Sequence, residues 1–338
     1  MEKSYKIATI GSHSALQILK GAKDEGFETI AICKKGFEEP YKSYNVADEI
    51  LFVKEYTDIL NKQQKFISEK VIIVPHGSFI AYMGYKNVEK MKIPYFGNKK
   101  ILHFESDRTL ERKWLKNAAI KMPAIFKNPE DIDRLVIVKF HGAGGGSGYF
   151  LATNKNDFYE KIKIHSNKKY IIQEYIVGVH MYVHYFYSPI TKELEILSFD
   201  KRYESNVDSI GRISSRDQLQ LPKSQVDPSY VIVGNIPLIV RESLLPELFK
   251  MGHNIITESK LFDGIGLFGP FCLETVITPD KKIFAFEISA RIVAGTNPFI
   301  NGSPYSWLKY NKPMSTGRRI ALEIKTAIKN NKLNLLLH

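Results

Sequence analysis

The chain has 338 residues, of which 44% are hydrophobic and 25% are charged, values typical of a soluble globular protein. This length exceeds one ordinary core and predicts two or three packed subdomains. The formal net charge of +12 invites a nucleic-acid interpretation, but the lysines are scattered and form no long basic block. Small anionic substrates therefore fit the charge just as well.

Cysteine content and hydropathy narrow the class of protein further. Cys33 and Cys272 each lie inside an apolar run, which excludes a disulfide framework or a zinc spacing and favours core positions. No apolar run is long enough to span a membrane, and the N-terminus carries no apolar signal core. We therefore expect a cytoplasmic protein without nucleic-acid or membrane partners.

The N-terminal part alternates short apolar strands with segments of helical spacing. Strands are predicted at 6–10, 27–33, 47–53 and 71–75, and helices at 14–25, near 58–68 and near 79–91. This alternation predicts an open parallel α/β sheet, in which ligands bind beyond the carboxyl ends of the strands.

Two polar loops occupy that position, 11–14 after the first strand and 76–78 after the fourth. Serines at helix starts either cap the helix or help to bind an anion, and for Ser12 and Ser14 both interpretations stay open. Histidine is not a usual cap, so His13 is expected to contact the substrate. Neither loop carries the motif G-x-G-x-x-G, so a dinucleotide is not indicated there.

A basic amphipathic helix is predicted at 106–116, with Arg108, Arg112 and Lys113 off its apolar face. Such charges usually face solvent, although one of them could reach a nucleotide phosphate. A strand at 135–139 then ends in Lys139 and leads into a glycine-rich segment and a returning strand at 149–152. Backbone N–H groups of such a flap can lie over phosphates, which we favour over a plain hairpin.

Further strands are predicted at 170–175 and 181–187, and the end of the first suits an adenine ring between apolar residues. His184 is interpreted as a core histidine. A strand at 195–199 precedes the polar cluster 200–204, which is either functional or a salt-bridged turn.

The rest of the chain is less informative. Segment 206–230 is rich in loops and lacks periodicity, helices are predicted at 241–260 and 318–329, and a tight loop is predicted at 301–305.

A β-hairpin predicted at 271–291 carries two carboxylates. If Asp280 and Lys281 form a two-residue loop, Glu274 lies directly opposite Glu287, with Cβ atoms about 4.5–5.5 Å apart. Opposed like charges require either protonation of one carboxyl or a cation between them.

Two carboxylates together with phosphate oxygens make a magnesium site. The alternative is that both glutamates are solvated or paired with Lys281 or Lys282. Arg291, at the end of the second strand, could hold a phosphate bidentately.

This order of elements resembles the ATP-grasp superfamily and, within it, the archaeal formate-dependent 5-formaminoimidazole-4-carboxamide ribonucleotide (FAICAR) synthetase family. The resemblance runs over nearly the whole chain. It is carried by the strings ATIGSHSALQILKGAKDEGFET, PYFGNKK, ESDRTLERKWLK, FDKRYESNVDSIGRI, GNIP, GPFCLE and FEISARIVAGTNPFINGSPYSW.

The resemblance implies an α/β protein with an ATP-grasp fold and an N-terminal open parallel-sheet domain. The implied parts are a substrate-binding domain (1–95), a connecting basic helix (96–122), a lid with the glycine flap (123–187) and a C-terminal subdomain with the metal site (188–338). The implied activity is formylation of the amine of 5-aminoimidazole-4-carboxamide ribonucleotide (AICAR) with ATP and formate, through formyl phosphate, in purine biosynthesis.

The implied cofactors are ATP and magnesium, with manganese possible in its place, and a homo-oligomer is expected. Two alternatives stay open. One is another ATP-grasp carboxylate–amine ligase with a different substrate, and the other is a non-catalytic nucleotide-binding protein.

The resemblance also assigns roles to single residues. Substrate contacts fall on Ser12, His13, Ser14, Ser78 and Asn235. The ATP site comprises Lys139, Gly145, Gly146, Gly148, Glu174, Tyr175, Ile176 and Glu204. The magnesium ligands are Glu274 and Glu287, and the charges expected to act in catalysis are Lys139 and Arg291.

The chain departs from the family pattern in the flap. Phe140 replaces a proline, Gly144 and Ser147 replace lysines, and Ser289 stands where broader ATP-grasp enzymes have an asparagine. Fewer flap cations would weaken phosphate binding and leave room for a paralogue with an altered substrate.

Overall fold

The computed structural model describes residues 4–140, 149–165, 169–204, 210–221 and 232–338. The flap residues Gly144, Gly145, Gly146, Ser147 and Gly148 therefore lie outside the described residues, as does most of the predicted loop 206–230.

In the described part of the chain, the N-terminal sheet has four parallel strands in the order β3-β2-β1-β4. They are β1 (Lys6–Ile10), β2 (Glu28–Lys34), β3 (Glu49–Val53) and β4 (Val71–Ile73). The helices are α1 (Ala15–Asp24), α2 (Glu39–Ser43), α3 (Gln63–Ser68), α4 (Phe79–Met83) and α5 (Tyr85–Lys90). The predicted open parallel sheet is confirmed.

Two of the predicted N-terminal helices are broken. The one near 58–68 is a 3₁₀ helix, Tyr56–Lys62, followed by α3. The one near 79–91 is divided into α4 and α5 at Gly84, whose φ of 74° a helix cannot contain.

The connecting segment is a pair of helices, α6 (Lys99–Ser106) and α7 (Arg108–Asn117), where the sequence predicted one. The break falls at Asp107, whose carboxylate accepts hydrogen bonds from the backbone N–H groups of Thr109 and Leu110. Asp107 is thus an N-cap that starts α7 anew.

The lid sheet has the order β5-β8-β6-β7 among the described residues and is antiparallel. Its elements are β5 (Ile125–Phe126), β6 (Val136–Phe140), β7 (Tyr149–Ala152), β8 (Tyr170–Glu174) and helix α8 (Lys155–Ile162). Phe158 of α8 packs with Val136, Val138 and Ile172 to form a small separate core.

The third sheet, also antiparallel, has the order β11-β10-β9-β12-β13 in the described ranges. Its strands are β9 (Val179–Tyr187), β10 (Leu194–Glu204), β11 (Ile232–Leu238), β12 (Gly269–Ile277) and β13 (Ile283–Ser289). The accompanying helices are α9 (Ser215–Gln218), α10 (Leu245–Asp263), α11 (Pro304–Tyr310) and α12 (Thr316–Lys329). Short 3₁₀ helices lie at Pro129–Asp131, Lys163–His165, Glu242–Leu244, Ala294–Phe299 and Leu333–Leu335.

Three sequence expectations change in this sheet. Strand β9, which the predicted lid 123–187 included, pairs with β10 and β12. The polar cluster 200–204 continues β10, where it pairs with β11, so it is neither beyond the strand nor a turn. The segment at 303–305, read as a tight loop, begins α11, whose N-cap is Ser303.

The hairpin β12–β13 keeps its predicted pairing by an unpredicted route. Its loop has three residues, 279–281, and Lys281 adopts a φ of 64°, so Ile277 pairs with Ile283. A bulge after Glu274 then shifts the register by one residue and restores the predicted pair Glu274 and Glu287.

Helices α1 and α12 join the N-terminal domain to the rest of the chain. A Cβ added at Gly21 would overlap the backbone of Arg318, and one at Gly317 would overlap that of Gln17. The two glycines therefore permit a close helix crossing, and the largest apolar core continues across it from Ile18 to Ile320.

Both cysteines are free and buried, as predicted. In the described part of the chain, no helix has the length and apolar character needed to cross a membrane.

Strand β13 is an edge strand, and two acidic side chains of the connecting helices satisfy its outward N–H groups. Glu111 Oε1 accepts from Ile288 N at 2.7 Å, and Glu105 Oε2 accepts from Ala290 N at 2.9 Å. Burial, opposed by the hydrogen bond from Ile288 and aided by the nearby carboxylate of Glu287, raises the pKa of Glu111 to about 8. The edge is thus capped by a carboxyl group that stays protonated well above its ordinary range.

This capping predicts a pH-dependent stability. The folded protein holds the Glu111 proton up to about pH 8, whereas the unfolded chain loses it near about pH 4.5. The stabilisation is therefore complete at low pH and is lost as the pH rises towards 8, by up to about 4 kcal/mol. Glu111→Gln stays neutral, so its stability relative to wild type should increase over this range.

Urea unfolding of both proteins without magnesium, at several pH values between about 5 and 8, would measure this difference. Glu160→Gln, on the exposed face of α8, is the matched control and should follow wild type throughout. A difference between wild type and Glu111→Gln that does not change with pH would show that Glu111 is ionised in the folded protein.

Candidate active site

One row of side chains crosses the third sheet. Glu287 on β13 pairs with Glu274 on β12, Glu274 pairs with Tyr182 on β9, and Tyr182 pairs with Asp200 on β10. Directly paired residues lie on the same face of a sheet, so three carboxylates and a phenol share one surface. This row forms the floor of the candidate site.

The two opposed glutamates lie in different environments. Glu274 is buried, with 3% of its surface exposed, whereas Glu287 is exposed. Burial and the charge of Glu287 raise the pKa of Glu274, while Arg202, which donates a hydrogen bond to Glu274, opposes the shift. The Arg202 guanidinium also lies over the Tyr182 ring at 4.0 Å from its centroid.

Arg291 is held by an acid that the sequence interpretation missed. Its Nη2 lies 2.7 Å from Glu105 Oε1, and burial of this pair raises the pKa of Glu105. The sequence interpretation also missed Glu111. Its signal is its position on the apolar face of α7, beside Trp114 and Leu115, where a solvated charge does not belong.

Asn235 is oriented by a buried acid. Its Nδ2 donates to Asp200 Oδ2 at 2.7 Å, and Asp200 Oδ1 lies 2.7 Å from His184 Nε2. Asp200 and His184 are 1% and 2% exposed, so His184 is a core histidine, as predicted. The network fixes where Asn235 points.

The N-terminal loops place a histidine pair at the same cleft. His13 has a φ of 55°, and its ring stacks on that of His76 with centroids 5.4 Å apart. His76 is fully buried, and both of its ring nitrogens are hydrogen-bonded. Nε2 donates to Ile10 O at 2.8 Å, and Nδ1 accepts from Ser78 N at 3.2 Å. His76 is therefore a neutral platform for His13.

The serines of these loops differ in availability. Ser14 is buried and its hydroxyl bonds to His13 Nδ1 at 2.8 Å, so it orients His13 and is not itself open to a ligand. Ser12 lies 3.1 Å from the hydroxyl of Tyr82, and Ser78 is partly exposed at the start of α4.

Contacts between domains bring His13 within electrostatic reach of Arg202 and Arg291. Asn297 Nδ2 donates to His13 O at 3.0 Å, and Gln17 Nε2 donates to Asn297 Oδ1 at 2.7 Å. Partial loss of hydration, followed by the charges of His76, Arg291 and Arg202, lowers the pKa of His13, although the residue stays exposed. His13 is therefore neutral at physiological pH.

Lys139 approaches the site from the lid. Its Nζ donates to Gln173 Oε1 at 3.2 Å, and the end of its strand leads into the flap. Loss of hydration and the charge of Arg108 lower the pKa of Lys139, whereas the charge of Glu287 raises it. Lys139 thus lies within electrostatic reach of the carboxylate pair.

The remaining predicted ATP residues lie along the lid and at the end of β10. Glu174 accepts from Ala124 N at 3.0 Å and from Arg134 Nη1 at 3.4 Å, so its side chain is engaged within the lid. Tyr175 and Ile176 follow it in a partly buried segment. Glu204 ends β10, and burial raises its pKa.

The carboxylate pair fits a magnesium ion that also has phosphate ligands. Within the described residues, no group of three or more His, Cys, Asp or Glu side chains could hold a metal alone. Glu274 and Glu287 supply two hard oxygen ligands and a like-charge pair that a cation would relieve. Nucleotide phosphates would supply the remaining oxygens.

Two family models match the chain. A domain of unknown function (DUF1297) matches residues 153–337, and a protein family of unknown function (DUF1246) matches residues 7–126.

Named relatives are more informative. The chain is 56% identical to a 5-formaminoimidazole-4-carboxamide-1-(beta)-D-ribofuranosyl 5'-monophosphate synthetase of Pyrococcus horikoshii, over 97% of this chain and 98% of that protein. The crystal structure of an IMP biosynthesis protein PurP from Thermococcus kodakaraensis matches with a TM-score of 0.79 and 32% identity, over 98% of this chain and 100% of that one.

A more distant structure shares only the fold. N5-carboxyaminoimidazole synthetase from Staphylococcus aureus, complexed with ADP, matches with a TM-score of 0.58 and 16% identity, over 88% of this chain and 74% of that one. The predicted α/β ATP-grasp fold is thereby confirmed. With this degree of identity over almost its full length, the chain belongs to the family of 5-formaminoimidazole-4-carboxamide-1-(beta)-D-ribofuranosyl 5'-monophosphate synthetases.

Proposed function

We propose that this protein is an ATP-dependent ligase that formylates the amine of AICAR with formate, giving FAICAR, ADP and phosphate in purine biosynthesis. The observation that carries the proposal is the opposed pair Glu274 and Glu287, with Lys139 within electrostatic reach of Glu287 and His13 within reach of the neighbouring arginines. A protein that only bound nucleotides would not need two opposed carboxylates.

The first half-reaction takes place at the carboxylate end of the cleft. An oxygen of formate attacks the γ-phosphorus of ATP, the bond to the bridging oxygen breaks, and ADP leaves. Magnesium held by Glu274 and Glu287 would neutralise charge on the β- and γ-phosphates. Lys139 and Arg291 offset the charge that develops on the transferred group, so this chain acts by positioning and electrostatics.

The second half-reaction uses the N-terminal loops. The amine nitrogen of AICAR attacks the carbon of formyl phosphate, the bond from that carbon to the phosphate oxygen breaks, and the proton that the nitrogen loses goes to the departing phosphate. The ring of His13 is fixed by its stacking on His76 and its hydrogen bond to Ser14. We therefore assign His13, with Ser12, Ser78 and Asn235, to holding the nucleotide.

Ser14 and Asp200 complete this assignment by orienting two of those contacts. Ser14 bonds to the ring of His13, and Asp200 bonds to the amide of Asn235. Neither side chain then needs to touch the nucleotide. This modifies the sequence interpretation of Ser14 from a substrate contact to a positioning residue.

Formate as the donor, magnesium as the metal, a homo-oligomer and a cytoplasmic location stay predictions. A different acid or amine is the rival activity.

Phosphate release from ATP and formation of product, measured together, test the proposal. The reaction should require ATP, formate, AICAR and a divalent cation, and mass spectrometry should find the formylated nucleotide. Acetate in place of formate, and the nucleoside in place of AICAR, are the matched controls. Product formed with acetate but not formate would favour the rival ligase, and no turnover with any acid would favour a binding protein.

Glu287→Gln should abolish turnover while the fold is retained, because it removes one metal ligand charge without changing side-chain shape. Its stability without magnesium should equal or exceed that of wild type, because the repulsion of Glu274 is relieved. Steady-state kinetics and thermal unfolding measure the two effects, with Glu160→Gln as the control. Near wild-type magnesium-dependent turnover would remove Glu287 from the metal site.

His13→Asn should raise the KM for AICAR and leave the KM for ATP nearly unchanged, because His13 lies in the N-terminal domain, away from the lid. Asparagine tolerates the positive φ at this position better than alanine does, so backbone strain is kept small. The KM for ATP in the same assays is the internal control. An equal rise in both constants would contradict the division into two subsites.

A further inference from the structure

A small cavity lies behind Arg291, between the N-terminal domain and the third sheet. It offers about 10 Å³ to the centre of a water molecule, which is room for one water. Tyr95, Phe96 and Gly97 line one side, and Ala290, Arg291 and Ile292 line the other. The cavity therefore borders the backbone segment that carries Arg291, whose guanidinium is proposed to act in the active site.

Two buried polar atoms in this lining have no hydrogen-bond partner among the described residues. They are Tyr95 Oη and Arg291 Nε. Tyr95 is 1% exposed, and burial followed by the charge of Glu105 raises its pKa well above the ordinary value, so its hydroxyl stays protonated. An unsatisfied buried polar group costs about 1–3 kcal/mol, so two of them beside one cavity need an explanation.

The hydrogen-bond chemistry of the two groups is complementary through a third. The Nε–H group of arginine only donates, whereas a tyrosine hydroxyl both donates and accepts. Water accepts two hydrogen bonds and donates two, and it typically bridges buried polar atoms of this kind. The mostly apolar remainder of the lining suits one small neutral molecule better than an ion.

We propose that one water molecule in this cavity accepts a hydrogen bond from Arg291 Nε and bonds to Tyr95 Oη, making Tyr95 a positioning residue for Arg291. The neighbouring nitrogen of the guanidinium already pairs with Glu105, since Nη2 lies 2.7 Å from Oε1. Arg291 is then held by two partners, one on α6 and one in the N-terminal domain.

Tyr95 itself is firmly anchored, which a positioning residue requires. Its backbone bridges Ile73 at the edge of β4, and its carbonyl accepts from His338 N at 3.0 Å. Its ring packs edge-on against Phe79 with centroids 5.8 Å apart. The hydroxyl therefore presents a fixed partner to the water, and the water presents a fixed partner to Arg291.

The functional part of this inference rests on the proposed role of Arg291 in offsetting phosphate charge. A guanidinium fixed before ATP binds needs no reorganisation during phosphoryl transfer. Loosening it should lower kcat more than it changes the KM for AICAR, which binds in the N-terminal loops.

The test combines a structural and a kinetic measurement on the full chain. A high-resolution crystal structure of wild type should show an ordered water within hydrogen-bond distance of both atoms, and the structure of Tyr95→Phe should lack it. Tyr95→Phe should lower kcat by about tenfold with an unchanged KM for AICAR. Tyr185→Phe is the control, because that buried hydroxyl donates to Leu248 O of α10 at 2.8 Å and Tyr185 does not line the cavity.

A double-variant cycle separates positioning from a general effect on folding. Arg291→Lys removes the Nε donor, so adding Tyr95→Phe to it should lower kcat no further. An additive fall, an unchanged kcat in Tyr95→Phe, or a cavity without ordered density in the wild-type crystal would each overturn the inference. Arg291→Lys with wild-type kcat would instead contradict the proposed role of Arg291, whatever the density shows.

Discussion

Two carboxylates placed directly opposite each other on neighbouring strands constrain the rest of this site. Glu274 and Glu287 repel each other, and the burial of Glu274 strengthens that repulsion because little water screens it. The fold limits the cost by placing Arg202 against Glu274 and packing that guanidinium on the Tyr182 ring. Glu287 is left facing the cleft, where a cation that brings its own phosphate ligands gains most.

The same negative field reaches the helices that cover the edge of β13. Glu111 avoids repulsion by remaining protonated, and Glu105 is stabilised by its ion pair with Arg291. These are two different solutions to one electrostatic problem, and each also supplies an acceptor for a free N–H group of the strand. Structural capping and the charge balance of the site are therefore carried by the same side chains.

Many of the strands and helices can be predicted from the sequence, because local hydrophobic periodicity and turn residues indicate where they begin and end. Strand β1 is predicted to the residue, and the parallel N-terminal sheet follows from the alternation of strands and helices. The opposed glutamates are predicted as well, but through a two-residue loop that does not exist. A three-residue loop and a bulge displace the register in opposite directions, and neither leaves a pattern in the flanking residues that would reveal it.

What the sequence does not reveal is which side chains meet across long separations. Glu105 bonds to the backbone of Ala290, 185 positions away, only because α6 packs on the end of β13. His13 O accepts a hydrogen bond from Asn297, 284 positions away, and the same Asn297 bonds to Gln17, which lies at the close crossing of α1 and α12. The candidate site thus depends on how the domains pack against each other. Each domain contributes a recognisable half, and the tertiary packing that local patterns do not encode brings the halves together.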